Sequence, residues 1–573
     1  MVQIVIDGQE TEVEVGTTIL EAAKKVGVKI PTLCHHPDQA VKANCRICVV
    51  EIEGQKLLQP SCSFPVWEGM VVRTNTPKVQ RVRSNVLELI LAHHAQECLF
   101  CSRNGNCELQ EVTQDMHFTR EVRYTNETRH GKDESSPSVV RDTNKCILCG
   151  RCSYVCDKIQ SVGALCKEGR GFSTKLSSAY GKDLADSTCT NCGQCIQACP
   201  VGALTIHDDT EHVYEAMEAG KHVIAQVAPA VRITIAEALG ENPGTVNKGR
   251  LVTAMKRVGF DKVFDTDFSA DLTIMEEGHE LLNRLQNGGT LPMVTSCCPA
   301  WIKFCETSFP EELPHLSTCK SPQQMFGALL KTWYPERSGV YPKDIYSVSI
   351  MPCTAKKFEC VRPEMNSSGY QDVDKVITVQ ELANMICAAG INFADLPETE
   401  FDSPFGLGTG AGEIFGATGG VMEAALRTVY EVVTGEELED VDFNAVRGFE
   451  GIKEASVDLK GIEVKVAIAH GLGNARKLMN AVKAGEADYH FIEVMACPGG
   501  CIGGGGNPIK NWKKMEKRLE GVYAEDKKLP IRKSHENPYI QKIYNDFLGE
   551  PLGEQSHKLL HTTYIDRSDI FKS

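Results

Sequence analysis

Two stretches, CILCGRCSYVC from Cys146 and CTNCGQCIQACP from Cys189, repeat the spacing C-x2-C-x2-C-x3-C. No other feature restricts the fold of this chain so tightly. The duplication implies two copies of one small unit. In all, 573 residues carry 25 cysteines. In a small secreted chain that would suggest disulfides; in one this long they are expected as reduced thiolates holding metal.

Iron–sulfur clusters suit the repeat, because iron and bridging sulfide prefer soft anionic ligands and three closely spaced thiolates fit three corners of a cube. In the two-cluster pattern the fourth cysteine of each run crosses to the other cluster. On that rule Cys146, Cys149, Cys152 and Cys199 hold one four-iron cluster, while Cys189, Cys192, Cys195 and Cys156 hold a second. Structural zinc also uses C-x2-C pairs, but two tandem runs of four favour iron. Upstream, Cys34, Cys45, Cys48 and Cys62 are spaced C-x10-C-x2-C-x13-C. That departs from the plant-type pattern, so a two-iron cluster is expected with zinc as the alternative. His94, Cys98, Cys101 and Cys107 are as compatible with zinc as with iron, and His93 leaves the histidine ambiguous.

The start, MVQIVIDGQETEVEV, alternates apolar and polar residues around an Asp7–Gly8 hairpin signal, and a helix is expected near TILEAAKKVG. So little core calls for a metal staple. A helical pattern leads into His94, and TNETRHGKDESSPSVVRD reads as a polar linker or surface loop. The net charge of −15 argues against nucleic-acid binding. No apolar run reaches the roughly eighteen residues of a membrane span, and no basic-then-apolar leader opens the chain. The expectation is a cytoplasmic protein.

Beyond about residue 210, strand-like runs (HVIAQVAP, PMVTSCCPA, YSVSIMPC, VKVAIAHG) alternate with helical patterns. This is an α/β signature, whose sites lie where strands end in loops. TSCCPAW, MPCTAKKFE and EVMACPGGCIGGGGNP put Cys298, Cys353, Cys497 and Cys501 at such ends, and the glycines after Cys497 let backbone N–H groups approach a cofactor.

At these three stretches the sequence resembles the FeFe hydrogenases, and the upstream cysteine sets match the accessory-cluster order of that family's long members. The resemblance implies a multidomain α/β plus α+β protein. Its parts would be an N-terminal β-grasp ferredoxin-like two-iron domain (1–78), a His/Cys3 four-iron domain bound through His94 (79–118), a two-cluster ferredoxin-like domain (137–209) and a large α/β H-cluster domain (210–573). The implied cofactors are one 2Fe-2S cluster, three accessory 4Fe-4S clusters and the H-cluster. In the last, Cys298, Cys353, Cys497 and Cys501 would hold a 4Fe-4S unit, with Cys501 bridging to a di-iron site that carries CO, CN and azadithiolate ligands and is installed by maturation proteins. Lys356 would face a cyanide. Met351, Met495, Pro229, Pro322, Gln323 and Phe415 match pocket positions. Ala230 stands where some members have serine, and Asn507 where glutamine is usual, a change expected to matter little.

In DLTIMEEGHELLNRLQ, residues 271–286, Glu277, Glu280 and Arg284 share one helical face. Read without the resemblance, this is a solvated face with a Glu280–Arg284 pair. The resemblance makes it a proton path of Cys297, Glu277, Ser317, Glu280 and Arg284, in which unligated Cys297 keeps its thiol proton while Cys298 gives its own up to metal. The implied function is reversible conversion of H2 to protons and electrons. The chain would be the catalytic member of an NAD(P)-linked or electron-bifurcating complex with flavin- and NAD(P)-binding partners, or alternatively would work alone with ferredoxin. A respiratory NADH dehydrogenase subunit would share only the N-terminal layout. A sensory hydrogenase or a non-catalytic iron–sulfur relative would alter the proton-path residues. Cys166, Cys305, Cys319, Cys360 and Cys387 fit no spacing rule and are expected to be packing residues.

Overall fold

The computed structural model describes residues 1–124, 130–458 and 463–571. It divides into two compact units, one of residues 1–158, 163–187 and 198–205, the other of 159–162, 188–197 and 206 onward.

The first unit opens with a five-stranded sheet: β1 (Val2–Ile6), β2 (Gln9–Val13), β3 (Val49–Ile52), β4 (Gln59–Pro60) and β5 (Met70–Arg73), in the order β2-β1-β5-β3-β4. Asp7 and Gly8 turn β1 into β2 at φ of 48° and 85°, the left-handed pair that a tight hairpin requires. The helix α1 (Ile19–Lys25) starts at a capping box between Thr18 and Glu21 and packs Ile19, Leu20, Ala22 and Ala23 onto the sheet. A second helix, α2 (Pro77–His93), ends at His94, whose extended backbone turns the chain toward Cys98. The expected linker is only partly a loop. Lys132–Asp133 and Val139–Asp142 form an antiparallel pair, because Val139 and Val140 are buried, while residues 125–129 lie outside the described part.

Both cysteine repeats have the same local geometry. Leu148 and Asn191, each just before the second cysteine of its run, lie at φ of 55° and 62°, and Gly150 and Gly193, just after it, at 78° and 67°. These left-handed steps bend the backbone where a helix would have continued.

The second unit contains two sheets. Parallel strands β6 (His222–Val227), β7 (Lys262–Asp265), β9 (Ile345–Met351) and β10 (Lys375–Thr378) lie in the order β7-β6-β9-β10. The other sheet runs β8-β13-β12-β11, built from β8 (Met293–Val294), β11 (Ile452–Asp458), β12 (Glu463–His470) and β13 (Phe491–Met495), antiparallel only at the β11 edge. Helices α3 (Pro229–Ala238), α4 (Asp267–Asn287), α5 (Pro299–Ser308), α6 (Pro322–Lys331) and α7 (Ala355–Cys360) follow strands or loops at their C-terminal ends. Near the C-terminus lies α8 (Glu554–Leu560). The chain is thus the mixed α/β architecture the patterns predict. Among the described residues, no helix is long and apolar enough to cross a membrane.

Candidate active site

Register brings the C-terminal strand ends together. Val227 pairs with Ile350, so Pro229 and Met351 leave β6 and β9 side by side. On the second sheet Val294 pairs with Ile492, which sends the loops of Cys297 and Met495 the same way. The result is a cavity of about 90 Å³ lined by Cys297, Cys298, Cys353, Cys497 and Cys501. Lys356, Met351, Met495, Pro229, Ala230, Pro322, Gln323 and Phe415 line it too, so every pocket residue named from the sequence is brought to one place. Thr266 and Ala270, at the start of α4, complete the wall and were not singled out.

Pro229, Pro299 and Pro322 each occupy the first turn of a helix, and all three line this cavity. Proline is tolerated there because its missing N–H has no intrahelical partner to lose. Three helix N-termini therefore face one small space, and their partial positive charge favours an anion within it. Lys356 adds a full charge: its Nζ donates to Glu359 Oε2 at 2.9 Å and to the Cys297 carbonyl at 3.1 Å. Glu359 also accepts from Ser321 Oγ at 2.9 Å and Gln323 Nε2 at 3.0 Å, so one buried carboxylate orients two pocket side chains. Behind α3, fully buried Arg232 bonds Asp265, Asp267 and Glu413, fixing α3 against α4 and the segment before Phe415. An anionic, thiolate-bound iron cofactor fits this donor set.

Asn507 is held firmly at the site. It is fully buried, accepts from Thr234 Oγ1 at 3.0 Å and donates to the Cys501 and Ile502 carbonyls at 2.8 and 3.0 Å, so it clamps the loop that carries Cys501. The turn of Cys192 approaches the same loop. Thr354 Oγ1 donates to the Asn191 carbonyl at 2.7 Å, and a side chain on Gly193 would meet the Gly505 Cα at 2.9 Å.

The charged face of α4 is not solvated, contrary to the reading made without the resemblance. Glu277 is 1% exposed and Glu280 7%, because Phe268, Leu272, Ile274 and Leu281 bury the helix on its other sides. The expected Glu280–Arg284 pair is present at 2.6 Å, and Ser317 Oγ donates to Glu280 Oε2 at 3.1 Å. Among the described residues, neither carboxyl oxygen of Glu277 has a hydrogen-bond partner within ordinary reach. Burial, with the neighbouring Glu280 charge adding to it, pushes this carboxyl up to about 8 even though the Ser317 hydroxyl lies close enough to offset part of the effect. Burial likewise raises the Cys297 thiol well above its usual value, so it keeps its proton.

In the first unit Cys146, Cys149, Cys152 and Cys199 line one small cavity, the crossed set of the spacing rule. His94, Cys98, Cys101 and Cys107 line another; His94 Nδ1 lies 2.9 Å from the Lys145 carbonyl, a contact that assigns Nδ1 as the donor and leaves Nε2 open to a metal. The thiols of Cys34 and Cys45 are hydrogen-bonded to each other, as are those of Cys48 and Cys62, and Cys62 feels the charge of the other three. Cys189, Cys192 and Cys195 belong to the second unit and Cys156 to the first, where it accepts the Ala164 N–H at 3.3 Å. Of the five cysteines read as packing, Cys305, Cys319 and Cys360 are buried. Cys387 is exposed on the outer face of its helix and Cys166 is half-buried at a strand edge, so those two are not core residues.

Residues 221–505 match the C-terminal domain of the iron-only hydrogenase large subunit, and 512–567 the iron hydrogenase small subunit. Residues 1–77 match a 2Fe-2S iron-sulfur cluster binding domain, 83–121 the NADH-ubiquinone oxidoreductase-G iron-sulfur binding region, and 136–205 the ferredoxin-like domain of NADH-quinone oxidoreductase subunit 3. The chain is 50% identical to the NADP-reducing hydrogenase subunit HndD of Solidesulfovibrio fructosivorans, over 100% of each chain. It is 41% identical to iron hydrogenase 1 of Clostridium pasteurianum, over 98% of this chain and 100% of that one. Among solved structures, a variant of the FeFe-hydrogenase HydA1 from Chlamydomonas reinhardtii aligns with a TM-score of 0.56 and 46% identity, covering 62% of this chain and 99% of its own. With its cysteines gathered at the strand ends and full-length hydrogenases at this similarity, the chain belongs to the family of iron-only, or FeFe, hydrogenases.

Proposed function

We propose that this hydrogenase is the catalytic subunit of an NAD(P)-linked complex, converting H2 to protons and electrons and handing the electrons to flavin- and NAD(P)-binding partners, with ferredoxin as a further partner. The full-length similarity to a subunit of an NADP-reducing hydrogenase supports this, as do the three N-terminal matches to iron–sulfur domains, two of them from NADH oxidoreductases. The observation that carries the catalytic reading is the single cavity in which Cys297, the four cysteines Cys298, Cys353, Cys497 and Cys501, Lys356 and three helix N-termini meet.

In this reading Cys298, Cys353, Cys497 and Cys501 hold the four-iron part of the H-cluster. The bound H-cluster supplies an open metal position and the redox chemistry of H2. Cys34, Cys45, Cys48 and Cys62 hold the 2Fe-2S cluster; His94 with Cys98, Cys101 and Cys107, and the two crossed sets, hold the three accessory 4Fe-4S clusters. Lys356 and the helix N-termini bind anionic ligands, and Met351, Met495, Phe415 and Pro322 exclude water. Cys297 gives or takes a proton at Sγ. Glu277, uncharged at neutral pH, refills it, and Ser317, Glu280 and Arg284 carry the proton on; each step is general acid–base chemistry in the buried interior of the protein. The domains run 1–78, 79–118, 137–209 and 210–573, and maturation proteins deliver the di-iron unit.

The test is anoxic purification of the native protein, identification of co-purifying chains, and H2-dependent reduction of NAD(P) and ferredoxin. Co-purifying flavoprotein and NAD(P) reduction are expected. Full-rate ferredoxin reduction by the lone chain, with no bound partner, would sink the complex.

A further inference from the structure

The relay residue Glu280 also touches a second polar chain, through Thr318. Thr318 Oγ1 lies 3.0 Å from Glu280 Oε2 and 2.8 Å from His561 Nδ1. His561 follows α8, and its Nε2 lies 3.0 Å from Glu276 Oε2. Glu276 is completely buried and already accepts from the Tyr544 hydroxyl at 2.5 Å and the Leu552 N–H at 2.9 Å, which assigns His561 Nε2 as a further donor to it. The groups facing His561 are therefore Glu276 and Glu280 from α4, the Cys319 thiol from the loop beyond Thr318, Tyr544, and His557 stacked on its ring at 4.6 Å. Arg284 adds its charge through Glu280.

One hydroxyl proton serves two acceptors here. When His561 Nδ1 carries a proton it donates to Thr318, and Thr318 in turn donates to Glu280. When Nδ1 is bare, Thr318 donates to it and Glu280 loses a donor. The charge of His561 is thus written into the hydrogen bonding of the relay carboxylate.

We propose that His561 is a positioning residue and proton store for Glu280, exchanging one proton with it through Thr318. In the storing step the Glu280 carboxyl proton passes to Thr318 Oγ1 as the hydroxyl proton passes to His561 Nδ1. The Glu280 O–H bond breaks, one O–H bond breaks and re-forms at Thr318, one N–H bond forms at His561, and no electrons change hands. The inference rests on the relay through Glu280 proposed above.

The test compares matured, full-length wild type with His561→Gln, Thr318→Val and Glu280→Gln, reading the infrared bands of the cofactor ligands and the pH profile of H2 turnover. His561→Gln hydrogen-bonds but does not titrate, and Thr318→Val leaves His561 in place but disconnects it. Both should keep the infrared bands and change the pH profile of turnover in the same way, since the proton store on His561 has been removed or disconnected. A His561→Gln profile that superimposes on wild type overturns the proposal, as does a shift in His561→Gln that Thr318→Val fails to reproduce. Glu280→Gln separates the two readings. Near-normal turnover there ends the relay and this inference together, whereas an inactive Glu280→Gln beside an unshifted His561→Gln ends this inference alone.

Discussion

Replacing Glu277 by glutamine should make the protein more stable and nearly inactive at once. The carboxyl rises from an ordinary 4.5 to about 8 in the fold, mainly because burial penalises its charge. Each unit corresponds to about 1.4 kcal/mol, so ionising Glu277 in place costs about 5 kcal/mol relative to ionising it in the unfolded chain. The sign follows from proton binding: between 4.5 and 8 the unfolded chain has lost this proton and the folded one has kept it. Stability from this group is therefore complete below 4.5 and is lost as pH rises to about 8. At pH 7 the loss is about 3 kcal/mol, and Glu277→Gln escapes it because an amide does not titrate. The assay is thermal unfolding of the two matured chains at matched pH values, with a difference infrared titration of the carboxylic C=O band. The stability gap between variant and wild type should widen by about 1.4 kcal/mol per pH unit across that window, and a C=O band absent from the variant should fade near pH 8. H2 turnover should fall by roughly two orders of magnitude or more, with the CO and CN bands retained. Parallel stability curves, or a variant with a third of normal turnover, would refute the argument that a neutral buried carboxyl carries the proton.

Cys297→Ala should keep the CO and CN infrared bands and lose most turnover, whereas Cys298→Ala should alter the bands themselves; near-normal turnover in Cys297→Ala would refute the relay. Glu359→Gln removes the carboxylate that Lys356, Ser321 and Gln323 share. Leaving that buried cation unpaired should destabilise the catalytic unit by about 3 kcal/mol or more and shift the CN bands, and an unchanged infrared spectrum would show that Lys356 does not depend on it. His94→Ala should lower iron content by about four atoms per chain. An unchanged iron count would move the ligand role away from His94.

Features set by short-range spacing were legible from the chain alone. The two cysteine runs announced converging thiols, the Asp7–Gly8 pair announced the hairpin, and the apolar runs before Cys298, Cys353 and Cys497 announced strands ending at a site. The pocket residues came through family resemblance, since nothing in the sequence neighbourhood of Phe415 or Pro229 says that they meet. The burial of Glu277 was hidden for a physical reason: i, i+3 and i+7 charges read the same whether a helix faces water or a neighbour. What decides is the packing of distant segments on α4, including the tail that brings Tyr544 and His561. The same distance in sequence concealed Thr318, and it concealed the clamp that Asn507 forms between Thr234 and the Cys501 loop.

The close approach of Gly193 and Gly505 has a consequence beyond backbone conformation. Electrons cross protein by tunnelling, with a probability that decays exponentially with the thickness of the insulator. At this point the turn that carries Cys192 and the loop that carries Cys501 meet backbone to backbone, with the Thr354 hydroxyl beside them. In the proposed path of electrons, the missing Cβ atoms at Gly193 and Gly505 let the two backbones touch and so thin the barrier at this point.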